Sequence, residues 1–63
     1  MGYKLKEVRK AKKMTQEELA EKSGISRGTI VAIENGSART TTIKTLLQLA
    51  KALDVTIDQI FLA

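Results

Sequence analysis

The 63-residue sequence contains no cysteine and no histidine, and each absence excludes a kind of chemistry. Without cysteine the chain can form no disulfide and offers no thiolate nucleophile, and without histidine it has no imidazole ligand for a metal. The few acidic residues are scattered over positions typical of helix caps and exposed faces, which does not favour a nucleophile–base pair. We therefore expect no enzymatic activity, no catalytic residues, no cofactor and no metal site.

Proline and long hydrophobic runs are absent as well. No apolar run approaches the ~20 residues that span a membrane, and the opening MGYKLKEV lacks the apolar segment of a signal peptide. No linker or low-complexity segment divides the chain, so we expect one domain over 1–63. These features fit a cytoplasmic protein with no membrane contact.

Positive charge is concentrated near the N-terminus. Eleven lysines and arginines stand against seven acidic residues, a formal net charge of +4, and six of the eleven fall within 4–13, where Glu7 is the single acid. A small basic domain favours a polyanionic partner, although a lysine-rich helix is more often simply solvated. A membrane-surface role is disfavoured because the first helix has too few large apolar residues to insert.

Capping signals and apolar spacing predict an all-α chain with five helices. Thr15 and Glu18 form a capping-box pattern before a second helix that starts near Gln16 and ends around Ser23. The other predicted helices cover about 4–13, the stretch from a Ser26 cap to Asn35, the stretch from a Thr42 cap to about Leu53, and a short helix opened by a second capping box, Thr56 with Gln59.

The same spacing predicts which helix faces pack inward. In the first helix Leu5, Val8 and Lys12 are expected to share a face, with Arg9 at its edge. The apolar stripe of the fourth helix is expected to comprise Ile43, Leu46, Leu47, Ala50 and Leu53.

The densest pattern lies within 16–35, where two short amphipathic helices are joined by a turn. Gly24 follows the first of them at a point where the chain needs a positive φ, which glycine adopts without steric cost. Ala20 supplies the small side chain that two steeply crossing helices need, and Ile30 and Ile33 face inward from the second helix. This spacing is typical of a helix-turn-helix, whose second helix can enter the major groove of DNA. We expect a compact five-helix bundle with a central helix-turn-helix.

Three stretches, MTQEELAEKSGIS, TIVAIENG and LLQLAKALDVTIDQIF, follow one another at the spacing of a known family. Through them the chain resembles the lambda-repressor-like, Cro/C1-type helix-turn-helix family from about Leu5 to Leu62. The resemblance implies the fold of that family and a function in sequence-specific DNA binding and transcription regulation. Thr41 departs from the family, many of whose members have proline at that position.

The resemblance also implies residue roles. Gln16 matches a position that contacts a phosphate and supports a base contact, and Arg9 and Glu34 match an ion pair between the first helix and the end of the third. The positions that match base-facing residues are Ser26, Arg27, Gly28 and Ala32, and those near the DNA backbone are Thr29 and Asn35. Gly28 and Ala32 lack the amide groups with which many members read adenine.

Side-chain chemistry indicates what the third helix and its flanks would contact. Arg27 is the best candidate for bidentate hydrogen bonding to guanine O6 and N7, with a phosphate contact as the competing role. Ala32 and Val31 could pack against a thymine methyl group. An ordinary solvated surface is the alternative for the whole face. Further candidates for phosphate contacts, which fix register, are Arg39, Thr40 and Lys44.

The C-terminal residues are more apolar than one short helix can bury. We expect some of them to complete the core and the exposed remainder to form the patch of a C2 homodimer, with core-only packing as the alternative. A dimer would set two recognition helices about 34 Å apart, facing successive major grooves of a pseudo-palindromic operator. The predicted dimerisation residues are Ile57, Ile60, Phe61 and Leu62.

The residues and the resemblance together predict a sequence-specific transcriptional regulator that binds double-stranded DNA, a small dimeric repressor of phage/prophage or bacterial type. We expect it to be associated with the nucleoid and to have no small-molecule ligand. The more serious rival is a protein-interaction module on the same fold, for instance the antitoxin of a toxin pair. An antitoxin of this kind usually binds DNA too, so it modifies the main prediction more than it contradicts it.

Overall fold

The computed structural model describes residues 3–37 and 41–60. Over these residues the helices are, in chain order, α1 (Leu5–Ala11), α2 (Gln16–Ser23), α3 (Arg27–Glu34), α4 (Ile43–Leu53) and α5 (Ile57–Ile60). Helix α2 packs against both α3 and α4, while α1 contacts α3 and α5, and α5 also contacts α4. The all-α bundle with a central helix-turn-helix is confirmed. None of these helices has the length and apolar character needed to cross a membrane.

Every helix contributes at least one fully buried aliphatic side chain to a single core. The backbone N–H of Lys4 donates to the carbonyl oxygen of Ile60 at 2.7 Å, which ties the start of the described chain to α5. The buried apolar residues are Leu5, Leu19, Ile30, Ile33, Leu46, Leu49, Ala50, Leu53 and Ile60.

The N-terminal ends of the central helices follow the predicted caps. The Thr15 hydroxyl oxygen accepts from the Glu18 N–H at 3.0 Å, and Glu18 Oε1 accepts from the Thr15 N–H at 2.8 Å, which completes the capping box of α2. Ser26 and Thr42 cap α3 and α4, each accepting from the N–H three residues on at 3.2 Å. Since these bonds join residues three apart, the local sequence is sufficient to predict them.

Helix α1 is shorter than the predicted 4–13, and its face is set differently. It ends at Ala11 because Lys13 adopts a left-handed φ of 57°. The prediction that Lys12 lies on the inward face is wrong, because Lys12 is exposed. Arg9, which was expected at the edge of that face, is buried.

The apolar stripe of α4 also needs a correction. Leu49 is fully buried, whereas Ile43 is 61% and Leu47 is 47% exposed. The spacing of leucines along α4 fits either set, so periodicity alone could not decide between the two rotations of the helix. The rotation that α2 and α5 select leaves two large apolar side chains facing outward.

The C-terminal part of the described chain departs from expectation in two respects. Gln59 Oε1 accepts from the Thr56 N–H at 3.0 Å, but the Gln59 N–H donates to the Thr56 carbonyl oxygen at 3.1 Å, so the second capping box is half formed. Ile60 is fully buried within the subunit and cannot line a dimer surface, and the half-buried Ile57 packs against the core. The predictions for Phe61 and Leu62 lie outside the described residues.

Candidate nucleic-acid interface

Helix α3 is anchored on one side and open on the other. Ile30 and Ile33 are buried in the core, whereas Arg27, Gly28 and Thr29 in its first turn are exposed. The side opposite the core continues through the half-buried Val31 and Ala32. An anchored helix with an exposed first turn is the form in which a recognition helix presents its N-terminal residues to base edges.

The turn before α3 holds this first turn in place. Gly24 has a φ of 75°, as predicted, and its N–H donates to the Ala20 carbonyl oxygen at 2.9 Å. The Ser26 hydroxyl accepts from the Thr29 N–H and donates to Thr29 Oγ1 at 2.9 Å. Ser26 therefore acts as the cap of α3 with its own proton committed, while the Thr29 hydroxyl keeps a proton to donate.

Arg9 and Glu34 are joined by a bidentate ion pair between α1 and the end of α3. Arg9 Nε lies 2.7 Å from Glu34 Oε2, and Arg9 Nη2 lies 3.1 Å from Glu34 Oε1. Arg9 Nη1 donates to the Met14 carbonyl oxygen at 2.7 Å. The side chains are only 10% and 4% exposed, so the charges are shielded from water and depend on one another.

Gln16 joins this pair, which the sequence did not predict. Its Nε2 donates to Glu34 Oε1 at 3.0 Å, so the start of α2 is fastened to the end of α3. A contact across 18 residues has no local signal, because neither side chain belongs to a cap or to an apolar stripe that would bring the two together.

The Glu34 carboxylate stays ionised in this setting. Burial by itself would raise the pKa of Glu34, but hydrogen bonds from Arg9 and Gln16, together with the positive charges of Arg9 and Lys6, outweigh that effect and lower it. The hydrogen bond with Glu34 in turn raises the pKa of Arg9. Both groups are therefore charged at neutral pH, and the Gln16 amide nitrogen has a permanent acceptor.

The fold brings the beginnings of α2 and α3 to one surface. Lys44 is exposed in the first turn of α4, and Asn35 follows α3 with its Oδ1 accepting from the Ser37 N–H at 3.0 Å. The predicted Arg39 and Thr40 lie outside the described residues. The surface concavity between the two helix starts is lined by Arg9, Met14, Thr15, Gln16, Glu17 and Arg27.

The concavity presents hydrogen-bond donors from both helix starts, with the Glu17 carboxylate beside them. The guanidinium of Arg27 and the amide nitrogen of Gln16 are groups that bind phosphate oxygens and the acceptors on base edges. Helix starts add partial positive charge, which favours phosphate further. Its geometry is that of the helix-turn-helix proteins that bind DNA.

Comparison with known proteins agrees with this class. A sequence model described as helix-turn-helix matches residues 5–60. An uncharacterized HTH-type transcriptional regulator of Methanocaldococcus jannaschii is 44% identical over 62 residues, which cover 98% of this chain and 92% of that protein. The uncharacterized HTH-type transcriptional regulator YqaE of Bacillus subtilis is 46% identical over 54 residues, which cover 86% of this chain and 46% of YqaE.

A solved structure has the same fold. The crystal structure of the restriction-modification controller protein C.AhdI from Aeromonas hydrophila matches with a TM-score of 0.85 and 38% sequence identity, covering 92% of this chain and 86% of that one. The chain belongs to the lambda-repressor-like, Cro/C1-type helix-turn-helix family. It is thus a DNA-binding transcriptional regulator and not an enzyme.

Proposed function

We propose that the chain binds a specific pseudo-palindromic operator as a homodimer and represses transcription there. The observation that carries this proposal is the exposed first turn of α3, Arg27 to Thr29, on a helix whose other face is fixed by Ile30 and Ile33. A rigidly held helix loses little conformational entropy when it inserts into the major groove, which favours specific binding.

Within this surface Arg27 reads a guanine. A guanidinium can donate two hydrogen bonds to O6 and N7 together, which discriminates against a wrong base by about 1–3 kcal/mol. The small residues Gly28 and Ala32 follow on the outer side of the helix and face base edges too. Ser26 contributes as the cap that holds Arg27 in the first helical turn.

Phosphate contacts fix the register of the protein on the duplex. Gln16 keeps a second amide proton for a phosphate while its first donates to Glu34. The Thr29 hydroxyl, the Asn35 amide and the Lys44 ammonium supply further donors. Arg39 and Thr40, between α3 and α4 in sequence, complete the proposed set.

The dimer surface is proposed on α4. Ile43 and Leu47 lie one helical turn apart and are the exposed large apolar side chains of the described chain. A twofold axis through this patch would bury the two side chains of one subunit against the same two of its partner. This patch takes the place of Ile60, and Ile57, Phe61 and Leu62 remain candidates for the dimer surface.

Repression would be steric, because a dimer on its operator blocks access of RNA polymerase. C.AhdI is a restriction-modification controller protein, which supports a controlling role for this chain as well. The same α4 patch favours a second candidate, a protein-interaction module such as an antitoxin, in which a partner protein covers Ile43 and Leu47.

Selection of bound sequences from random duplexes, run at two salt concentrations, tests the operator. The expected result is an inverted repeat whose half-sites lie about 10 base pairs apart, with a guanine that loses its preference in Arg27→Ala. A pool with no enriched sequence at either salt concentration would contradict sequence-specific binding and leave the protein-interaction candidate.

Sedimentation equilibrium tests the dimer. The double variant Ile43→Gln/Leu47→Gln removes apolar surface without changing charge, and should shift the protein to monomer and weaken operator binding. Lys51→Gln, at an exposed position of the same helix, is the control and should remain dimeric. A wild-type protein that is monomeric both alone and on the operator would exclude the dimer.

A further inference from the structure

Gly28 is a glycine that the fold does not require. Two of the described glycines, Gly24 and Gly36, have a positive φ of 75° and 79°, but Gly28 is an ordinary helical residue in the first turn of α3. A Cβ built at Gly28 would meet nothing within 4 Å. Alanine therefore fits this position of the protein without strain.

Glycine is also unfavourable there. Within a helix it loses more backbone entropy than alanine and lowers stability. Since neither the backbone conformation nor a neighbouring side chain calls for glycine, a partner outside the subunit that needs the space of a Cβ would account for it. Gly28 is exposed on the side of α3 away from the core, where the proposed operator would lie.

The surroundings of Gly28 indicate which group approaches it. Val31 and Ala32 follow at three and four residues, so the three residues form one strip along the helix. None of them has a side-chain donor or acceptor. The apolar group that a base pair presents in the major groove is the C5 methyl of thymine.

We propose that Gly28 determines specificity by leaving room for a thymine methyl group, which lies against its Cα in the space that a Cβ would occupy. This inference rests on the proposed function and adds the identity of one base pair to it. The Gly28 Cα and the Val31 and Ala32 side chains together form the apolar seat of the methyl group.

A paired change in protein and DNA tests the proposal. Gly28→Ala should raise the melting temperature by about 2–8 °C and weaken binding to the selected operator about 10-fold or more. Each thymine of the half-site is replaced in turn by deoxyuridine, which removes the methyl group but keeps the same hydrogen-bonding groups. At one of these thymines the replacement should restore most of the affinity that Gly28→Ala has lost, because the alanine methyl fills the vacated space.

The wild-type protein should lose affinity when that same thymine is replaced by deoxyuridine. Replacing any other thymine near Gly28, Val31 and Ala32 should leave its affinity unchanged. Ala11→Gly, at an exposed position of α1, is the control: it should lower the melting temperature and leave the thymine preference unchanged. If Gly28→Ala binds every duplex as the wild type does, or if no deoxyuridine rescues it, the proposal is wrong while sequence-specific binding stands. If the wild type selects no sequence at all, the proposed function fails first.

Discussion

One carboxylate, that of Glu34, joins three helices at the level of single residues. It accepts from Arg9 of α1 through both oxygens and from Gln16 of α2, while it belongs to the last turn of α3. The recognition helix is thus fixed at its far end by charge and at its near end by the Ser26 cap. The pairing of Arg9 with Glu34 could be inferred from the family resemblance, whereas the bond from Gln16 needed coordinates.

Removing the acceptor alone should be costly. Glu34→Ala leaves the Arg9 side chain, which is only 10% exposed, without its charged partner, for which we expect a loss of about 3–5 kcal/mol in the free energy of unfolding. Thermal denaturation followed by circular dichroism should show a melting temperature lower by more than about 10 °C. Arg9→Met/Glu34→Leu, which removes both charges, should recover much of the loss; a single variant that melts like the wild type would show that the pair contributes nothing.

The same carboxylate makes stability depend on acid pH. The pKa of Glu34 is lower in the folded protein than in the unfolded chain, so the unfolded chain takes up the proton first as pH falls. Its contribution is complete above about pH 4.3, the usual glutamate value, and is lost as the pH falls through the lowered folded-state pKa. Urea unfolding of Glu34→Gln across this window should give a shallower decline than the wild type, and an identical decline would assign the acid sensitivity to other carboxyl groups.

At the level of elements, four helices are followed by a residue in the left-handed conformation, although the residue type differs. Lys13, Gly24, Gly36 and Asp54 all have a positive φ after the ends of α1, α2, α3 and α4. After Lys13, Gly36 and Asp54 the next N–H reaches back five residues to a carbonyl oxygen, at 3.1, 2.9 and 3.0 Å. Two of the four positions thus use a side-chain-bearing residue where glycine is favoured.

These helix ends explain what could be read from the sequence. The N-terminal ends of α2, α3 and α4 were predictable because a hydroxyl and a backbone N–H three residues apart form the cap. The ends at Gly24 and Gly36 were predictable because glycine marks a left-handed residue. The end of α1 was not, since Lys13 reads as one more helix-forming residue, and the rotation of α4 was not, since either leucine set suits an amphipathic helix.

Lys13→Gly should therefore stabilise the protein. Glycine adopts the φ of 57° without strain, so we expect a gain of up to about 1 kcal/mol in the free energy of unfolding, less the entropy that glycine adds to the unfolded chain. Lys13→Ala is the matched control, because it removes the same charge and keeps a Cβ. Guanidinium unfolding should place Lys13→Gly above Lys13→Ala; the reverse order would show that the lysine side chain outweighs the backbone strain.

At the level of the whole molecule, the net charge of +4 acts in two ways. Lysines that touch phosphates release counterions, and each such lysine steepens the decline of affinity with salt. Lysines that stay away from the duplex raise the positive potential and speed the encounter. Lys44, in the first turn of α4 after the recognition helix, belongs to the proposed phosphate-binding set, whereas Lys10 is an exposed residue of α1.

Lys44→Ala and Lys10→Ala should separate these two effects. Lys44→Ala should reduce the slope of log K against log salt by about 0.9 for each phosphate that is no longer neutralised, and so by about 1.8 for a dimer that places Lys44 on both half-sites. Lys10→Ala should slow association at low salt and leave the slope nearly unchanged. Fluorescence anisotropy on the selected operator gives the slopes and stopped flow gives the rates. Equal slopes for Lys44→Ala and wild type would remove Lys44 from the interface, while a change of about 0.9 would mean that only one subunit's lysine meets a phosphate.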